Sequence, residues 1–149
     1  MSGRFLIDTD VLSTGAPSKV RPIPALIEWM DRNSEKLYVS VVTIAEIEDG
    51  IAKASREGAT RKSERLREWL ETLLHLYSRR ILPFDLSAAR IAGALSDRAR
   101  SRGHTAAFAD LAIAAIAKHQ ELTILTCNLK HYAPLGVTAI DPTAKLPPV

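Results

Sequence analysis

The sequence predicts an α/β protein with a five-stranded parallel sheet that is flanked by helices. Two observations support this fold class. Short apolar runs of strand length alternate along the chain with longer segments in which apolar residues recur at helical spacing. The first of these runs, Phe5-Leu6-Ile7, is apolar at every position, which is typical of a strand buried on both faces of a sheet.

Each element has its own local signal. β-Branched and aliphatic residues bounded by polar ones indicate strands, and apolar residues three or four apart indicate helices. Gly58 and Gly103 are natural ends for the helices that precede them, whereas Thr60 and Thr105 are candidate caps for the helices that follow. The strands are expected at residues 5–7, 37–41, 80–84, 122–126 and 137–140, and the helices at residues 25–32, 43–57, 60–79, 87–102 and 106–119.

Two proline-rich stretches lie outside these elements. Residues 17–24 connect the first strand to the first helix, and residues 142–149 are expected to form a loosely held tail. The chain of 149 residues contains no internal repeat and fits one domain of ordinary size. We therefore predict a single domain over residues 1–141, followed by the tail.

Composition limits the possible classes of function. A hydrophobic fraction of 46% and a charged fraction of 25% are those of a soluble globular protein, and no apolar run approaches the roughly 20 residues that span a bilayer. No signal-peptide pattern is present, and the single cysteine, Cys127, can form no internal disulfide, so we expect a cytoplasmic protein. The net charge of +3 permits a nucleic-acid partner, but an aromatic fraction of 5% argues against an extensive base-stacking surface.

Three carboxylates lie in apolar surroundings, and they are the candidate functional residues. Asp8 follows the first strand, Glu46 lies within an apolar helix start, and Asp110 is the only charge in residues 105–117. A buried carboxylate costs several kcal/mol unless it is paired, protonated or bound to a metal. For each acid alone, a cap or a distant salt bridge is the better explanation, but the three together favour a shared metal site.

Polar residues near two strand ends extend this site. Thr126 and Asn128 come at the carboxyl end of the fourth strand, which in a doubly wound sheet faces the same crevice as Asp8. Asp10 converges with Asp8 if the first strand continues, and it caps or braces a turn if the chain bends after Asp8. Cys127 is expected to be a small packed residue, and the basic face of the long helix is expected to be solvated.

The donor types indicate the chemistry. Hard oxygen ligands without a nearby histidine or cysteine cluster favour Mg²⁺ or Mn²⁺ over zinc. Such ions bind phosphate oxygens and activate a water for attack at phosphorus. Hydrolysis of phosphodiester bonds is therefore the natural hypothesis.

Four blocks of the chain, in this order, resemble the PIN-domain ribonucleases. Within them the chain is most similar to the VapC toxins of bacterial toxin–antitoxin pairs, especially the FitB-like branch. The blocks are LIDTDVL at residues 6–12, TIAEIEDGI at 43–51, ADLAIAA at 109–115 and LTCN at 125–128, and RILPFD at 80–85 is similar to a segment common in that branch.

The resemblance implies a PIN-like fold, a divalent-metal-dependent endoribonuclease and a toxin role. It also implies a homodimer and a small VapB-type antitoxin, which inserts into the active site and helps to bind the operon's own DNA. Asp8, Glu46 and Asp110 match the three main metal-binding acids. Asp8 and Asp110 are expected to hold the ion, with Glu46 as a further candidate ligand that orients or deprotonates the attacking water.

Around these acids, the resemblance assigns supporting positions. Thr9, Asp10, Thr126 and Asn128 are expected to lie near the substrate or behind the metal-binding acids. Two exchanges depart from the family pattern: Asp10 stands where the family usually has Asn, and Asn128 stands where many members have Asp. Cys127 replaces a frequent Arg, and the Pro often found shortly before the third acid is absent here.

Two other interpretations were weighed. A non-catalytic PIN domain would bind RNA or a protein without cleavage, although all three main acids are present. A haloacid-dehalogenase-like phosphatase would use Asp8 as its nucleophile and Asp10 as its acid and base. That family also requires a lysine and a late acid pair after the threonine strand end, and here Thr126 already follows Asp110.

Overall fold

In a computed structural model, the protein is described over residues 3–17 and 22–148. This part of the chain contains the five predicted strands and seven helices, two of which, α1 and α7, have only four residues each. Residues 18–21 of the proline-rich connection lie outside the described residues. The strands are β1 (Phe5–Ile7), β2 (Leu37–Ser40), β3 (Ile81–Leu82), β4 (Thr123–Leu125) and β5 (Ala139–Ile140), and the helices are α1 (Thr9–Leu12), α2 (Pro24–Arg32), α3 (Val41–Arg56), α4 (Thr60–Leu76), α5 (Leu86–Ser101), α6 (Phe108–Gln120) and α7 (Leu129–Tyr132).

All four strand pairings are parallel, as predicted, and the order across the sheet is β3-β2-β1-β4-β5. The first strand is therefore central, with β2 on one side and β4 on the other. Because the strands are parallel, their carboxyl ends lie along one edge, and the crevice at that edge is where sheets of this type place their ligands. The fold class is confirmed.

The core lies on both faces of the sheet. Leu6 packs into a cluster with buried residues of α5 and α6, whereas its neighbours Phe5 and Ile7 pack into a second cluster with residues of α2, α3 and α4. This alternation follows from the strand period of two. Seven consecutive residues of α6, Leu111 to Ala117, are buried, which confirms the prediction from its apolar sequence.

Several predicted boundaries shift because side-chain caps start the helices earlier. Ser40 accepts a hydrogen bond from the Thr43 backbone N–H, so α3 begins at Val41 and shortens β2. Asp85 accepts a hydrogen bond from the Ala88 backbone N–H, so α5 begins at Leu86 rather than Ser87.

Two predicted caps are wrong. Thr60 is the first residue of α4, and Ala59 occupies the cap position; the helix then ends at Leu76 rather than near residue 79. Thr105 does not cap α6, which begins at Phe108 with Ala107 at the cap position and without a side-chain cap. The expected loosely held tail contains two buried prolines, Pro142 and Pro147, and the division at residue 141 stays a prediction.

Among the described residues, no helix is both long and apolar enough to cross a membrane.

Candidate active site

Asp8 lies at the carboxyl end of the central strand, where the chain turns at once into α1. Its Oδ1 accepts a hydrogen bond of 2.9 Å from the Thr9 backbone N–H, so Asp8 is the N-cap of that short helix. The side chain is buried, with 7% of the residue exposed. The strand therefore does not continue through Asp10, and of the two arrangements considered for Asp8 and Asp10, the chain adopts the turn.

The second oxygen of Asp8 is held by two hydroxyl groups. Oδ2 accepts from Thr126 Oγ1 at 2.8 Å and from the Tyr132 hydroxyl at 3.1 Å. Thr126 in turn accepts from the Asn128 backbone N–H at 3.0 Å. Neutral donors from three elements thus replace the water around this carboxylate.

Asp110 faces Asp8 from the first turn of α6. Its Oδ1 lies 3.5 Å from the Tyr132 hydroxyl, and its Oδ2 lies 3.4 Å from His131 Nδ1. Burial raises the pKa of Asp110 and the negative charge of Asp8 raises it further, while His131 and the Tyr132 hydrogen bond act in the opposite direction. The Tyr132 hydroxyl, which has a single proton, lies between the two carboxylates.

Glu46 reaches the site from the first part of α3, but it is exposed rather than buried in apolar surroundings, as its sequence context had suggested. The helix turns this side chain to solvent, while Thr43 and Ile47 face inward. Glu46 Oε1 accepts a hydrogen bond of 2.6 Å from Thr9 Oγ1, which also lies 3.0 Å from Thr43 Oγ1. Since Thr9 directly follows Asp8, this hydrogen bond holds Glu46 close to the Asp8 end of the central strand.

Asp10 points away from this group and braces the loop after β4. Its Oδ2 accepts from the Cys127 backbone N–H at 3.0 Å and from Asn128 Nδ2 at 2.9 Å. Its Oδ1 is buried and has no hydrogen-bond partner among the residues that the structure describes. Burial raises the pKa of Asp10, and the charge of Asp8 raises it further.

Two site residues were missed in the sequence, and one expectation was wrong. Tyr132 is fully buried and His131 is exposed, and both belong to α7, which was not predicted. Their only sequence signal is that they follow Asn128 by three and four residues, within the loop after β4. Cys127 was expected to pack inside, but it is exposed, and its backbone N–H donates a hydrogen bond to Asp10.

The carboxylate cluster fits a divalent cation in charge and donor type. In the described part of the chain, no lysine or arginine forms a salt bridge with Asp8, Asp10, Glu46 or Asp110. The charge of Asp8 is among the causes that raise the pKa of Asp110, because the two carboxylates lie close together and repel each other. Over the same residues, no three acidic, histidine or cysteine side chains form a ready-made metal site. The cluster thus fits an ion such as Mg²⁺, which is bound through one or two carboxylates and keeps several waters.

Comparison with known proteins decides the family. Residues 5–133 match the model of the PIN domain. The chain belongs to the PIN domain family. Over 93% of its length, the chain is 34% identical to Toxin FitB of Neisseria gonorrhoeae and covers 97% of that protein. Over 93% of its length, it is also 33% identical to VapC ribonuclease Y4jK of Sinorhizobium fredii and covers 96% of that protein. The crystal structure of FitAcB from Neisseria gonorrhoeae matches with a TM-score of 0.82 at 33% identity, covering 93% of this chain and 98% of that one.

The raised pKa of Asp110 predicts how metal-free stability depends on pH. A carboxyl group whose folded pKa lies above its unfolded value contributes stability at low pH, and this is lost as pH rises through the folded pKa. Asp110→Asn should therefore raise Tm at pH 7 in EDTA, by about 2–4 °C for each kcal/mol relieved, and the gain should shrink toward pH 4. Added Mn²⁺ should raise Tm more in the wild type than in the variant.

The matched control is Asp97→Asn, because Asp97 is an exposed acid on α5 that forms a salt bridge with the exposed Arg100. It should leave Tm within a degree or so in every condition. A lower Tm for Asp110→Asn than for the wild type at pH 7 in EDTA would contradict the argument.

The hydrogen bonds of Thr126 predict a stability role. Thr126→Val keeps the shape but removes the donor to Asp8 and the acceptor for the Asn128 N–H, both of which are inside the protein. The free energy of unfolding in EDTA should fall by about 1–3 kcal/mol, as measured by urea denaturation. Thr138→Val, at an exposed threonine beside β5, should change it by less than about 0.5 kcal/mol. Equal effects of the two substitutions would show that the network around Asp8 contributes no stability.

Proposed function

We propose that this protein is the toxin of a toxin–antitoxin pair and that it hydrolyses RNA phosphodiester bonds with the help of Mg²⁺ or Mn²⁺. The observation that carries this proposal is that, in a PIN domain, Asp110 faces Asp8 across the Tyr132 hydroxyl at the carboxyl end of the central strand, and Glu46 is held by the hydroxyl of Thr9, the residue after Asp8. Among the described residues, no lysine or arginine forms a salt bridge with these acids, and His131 is the basic side chain that contacts Asp110. The toxin and ribonuclease names of the two relatives agree with it.

Asp8 and Asp110 would hold the divalent ion, with Glu46 as a further candidate ligand. Such an ion would supply a water of lowered pKa and would offset negative charge on the phosphate oxygens. Thr126 and Tyr132 keep the Asp8 carboxylate in one orientation. Asp10 and Asn128 hold the loop that carries Thr126.

Glu46 is the group that orients and deprotonates the attacking water. One of its oxygens is fixed by Thr9, and the side chain is exposed, so its second oxygen can accept a proton from water in the crevice. Glu46 takes a proton from the attacking water, whose oxygen bonds to phosphorus while the bond from phosphorus to the 3′-oxygen breaks. The 3′-oxygen takes a proton from solvent water and leaves as a hydroxyl, and Glu46 returns its proton to solvent. The products carry a 5′-phosphate and a 3′-hydroxyl, because the 2′-hydroxyl is not the nucleophile.

The test is cleavage of a mixed RNA panel by purified protein with Mg²⁺, with Mn²⁺ and with EDTA. Asp8→Asn and Glu46→Gln should each lower kcat/KM by at least about 100-fold. The matched control is Glu48→Gln, since Glu48 is an exposed acid two residues further along α3 and should leave the rate within about twofold. Product ends with 2′,3′-cyclic phosphate would refute the mechanism, as would full activity of either site variant.

For partners, we propose a homodimer and a small VapB-type antitoxin that enters the active site and brings the complex to operator DNA. FitAB has been solved bound to a DNA fragment, at 31% identity to this chain. The RNA substrate and the antitoxin would both meet this chain in the cytoplasm. The neighbouring gene should encode the antitoxin, and the copurified pair should shift operator DNA in a gel when the toxin alone does not. Operator binding by the toxin alone would contradict this assignment.

The alternative is a non-catalytic PIN domain that binds RNA or a protein. One observation favours it: both oxygens of Asp8 already accept hydrogen bonds from the protein. It predicts tight RNA binding that does not change with divalent ions and no cleavage by the folded, antitoxin-free protein.

A further inference from the structure

A cavity of about 290 Å³ opens beside the carboxylate cluster, and Asp110 forms part of its wall. The rest of the wall comes from the loop before α6 and from α7, with His104, Ala106, Ala107, Lys130 and His131 among the lining residues. Its volume is close to the lower end of the range for sites that bind small molecules. The cavity is therefore continuous with the proposed catalytic site but separate from the Asp8 side of it.

Apart from Asp110, the ionisable side chains of this wall are basic, namely those of Lys130, His104 and His131. Lys130 and His104 are exposed, and neither forms a salt bridge to another described residue. His131 directs Nδ1 to Asp110, which leaves Nε2 as its remaining nitrogen. Asp110 is the only acid in the wall. An anion entering here would meet a free ammonium group and two imidazoles.

The start of α6 adds backbone donors to the same wall. Ala106 and Ala107 line the cavity, and no side chain caps this helix. The first-turn N–H groups of such a helix need a partner, which water or an anion can supply. These donors alone would not define a site; they complement the three basic side chains around them.

We propose that this cavity binds an RNA phosphate next to the one that is cleaved. An RNA chain carries a phosphate on every nucleotide, so a strand with one phosphate at Asp8 and Asp110 must place a neighbouring phosphate within one nucleotide of them. On this side of Asp110, the cavity is the place where such a phosphate meets basic groups. Lys130 contributes the charge, and His104 contributes a hydrogen-bond donor. This inference rests on the proposed function, because it assumes an RNA substrate.

The experiment compares Lys130→Gln with Lys118→Gln in the wild-type background. Both lysines are exposed, but Lys118 lies near the opposite end of α6 and lines a different cavity. Binding of a short fluorescein-labelled, mixed-sequence single-stranded RNA is measured by anisotropy in EDTA over a series of salt concentrations. Kinetics on the cleaved RNA are measured with Mg²⁺ or Mn²⁺.

For Lys130→Gln, the slope of log binding constant against log salt should become shallower by about 0.7, the value for one lost phosphate contact on a single strand. KM should rise by up to about fivefold, with kcat within about twofold. The double variant His104→Gln, Lys130→Gln should weaken binding further. Lys118→Gln should leave the slope and KM at the wild-type values.

Equal salt slopes for the wild type and Lys130→Gln would overturn the proposed subsite. Equal losses of RNA binding in Lys130→Gln and Lys118→Gln would also overturn it, because they would indicate a general effect of charge. These binding results can be interpreted even if the wild type cleaves no RNA with Mg²⁺ or Mn²⁺. Absence of cleavage would reject the proposed function, whereas a selective loss of binding in Lys130→Gln would still locate an RNA phosphate at this cavity.

Discussion

The burial of the Asp8 carboxylate, which has no basic partner among the described residues, is the constraint on which the site depends. Ionised carboxylates in protein interiors are costly unless hydrogen bonds or opposite charges replace the lost water. Here one donor comes from the start of α1, one from the end of β4 and one from α7. The carboxylate thus ties the start of α1 to Thr126 and Tyr132, which lie 118 and 124 residues further along the chain, so these segments cannot relax independently of α1.

The other acids are distributed around this fixed point in different ways. Asp110 faces Asp8 across the Tyr132 hydroxyl, and the repulsion between the two carboxylates is among the causes that raise the pKa of Asp110. Glu46 stays exposed and is held through Thr9, so it keeps an oxygen for solvent. The result is a pair of buried or half-buried acids, neither of which forms a salt bridge with a lysine or arginine among the described residues, next to one exposed acid that can exchange protons with water.

The fold and the main acids were predictable because their signals are local. The strand before Asp8 and the apolar helix around Asp110 can be recognised within a dozen residues. The contacts of Tyr132 and His131 were not predictable, because they join a four-residue helix to acids 21 or more residues away in the chain. The exposure of Glu46 was misjudged because neighbouring apolar residues on a helix do not determine which side faces the core.

The exchange of Asp10 and Asn128 has a structural account. The two side chains contact each other, so placing the acid on α1 and the amide after β4 keeps a carboxylate–amide pair with its members reversed. In this arrangement the Asp10 carboxylate also accepts the Cys127 N–H, and the loop that positions Thr126 is thereby tied to α1. Asn128 brings no charge to the crevice, so the negative charge on that side comes from Asp10, whose free oxygen is buried. The acid of this pair is therefore a brace on α1, and it fixes the loop from which Thr126 donates its hydrogen bond to Asp8.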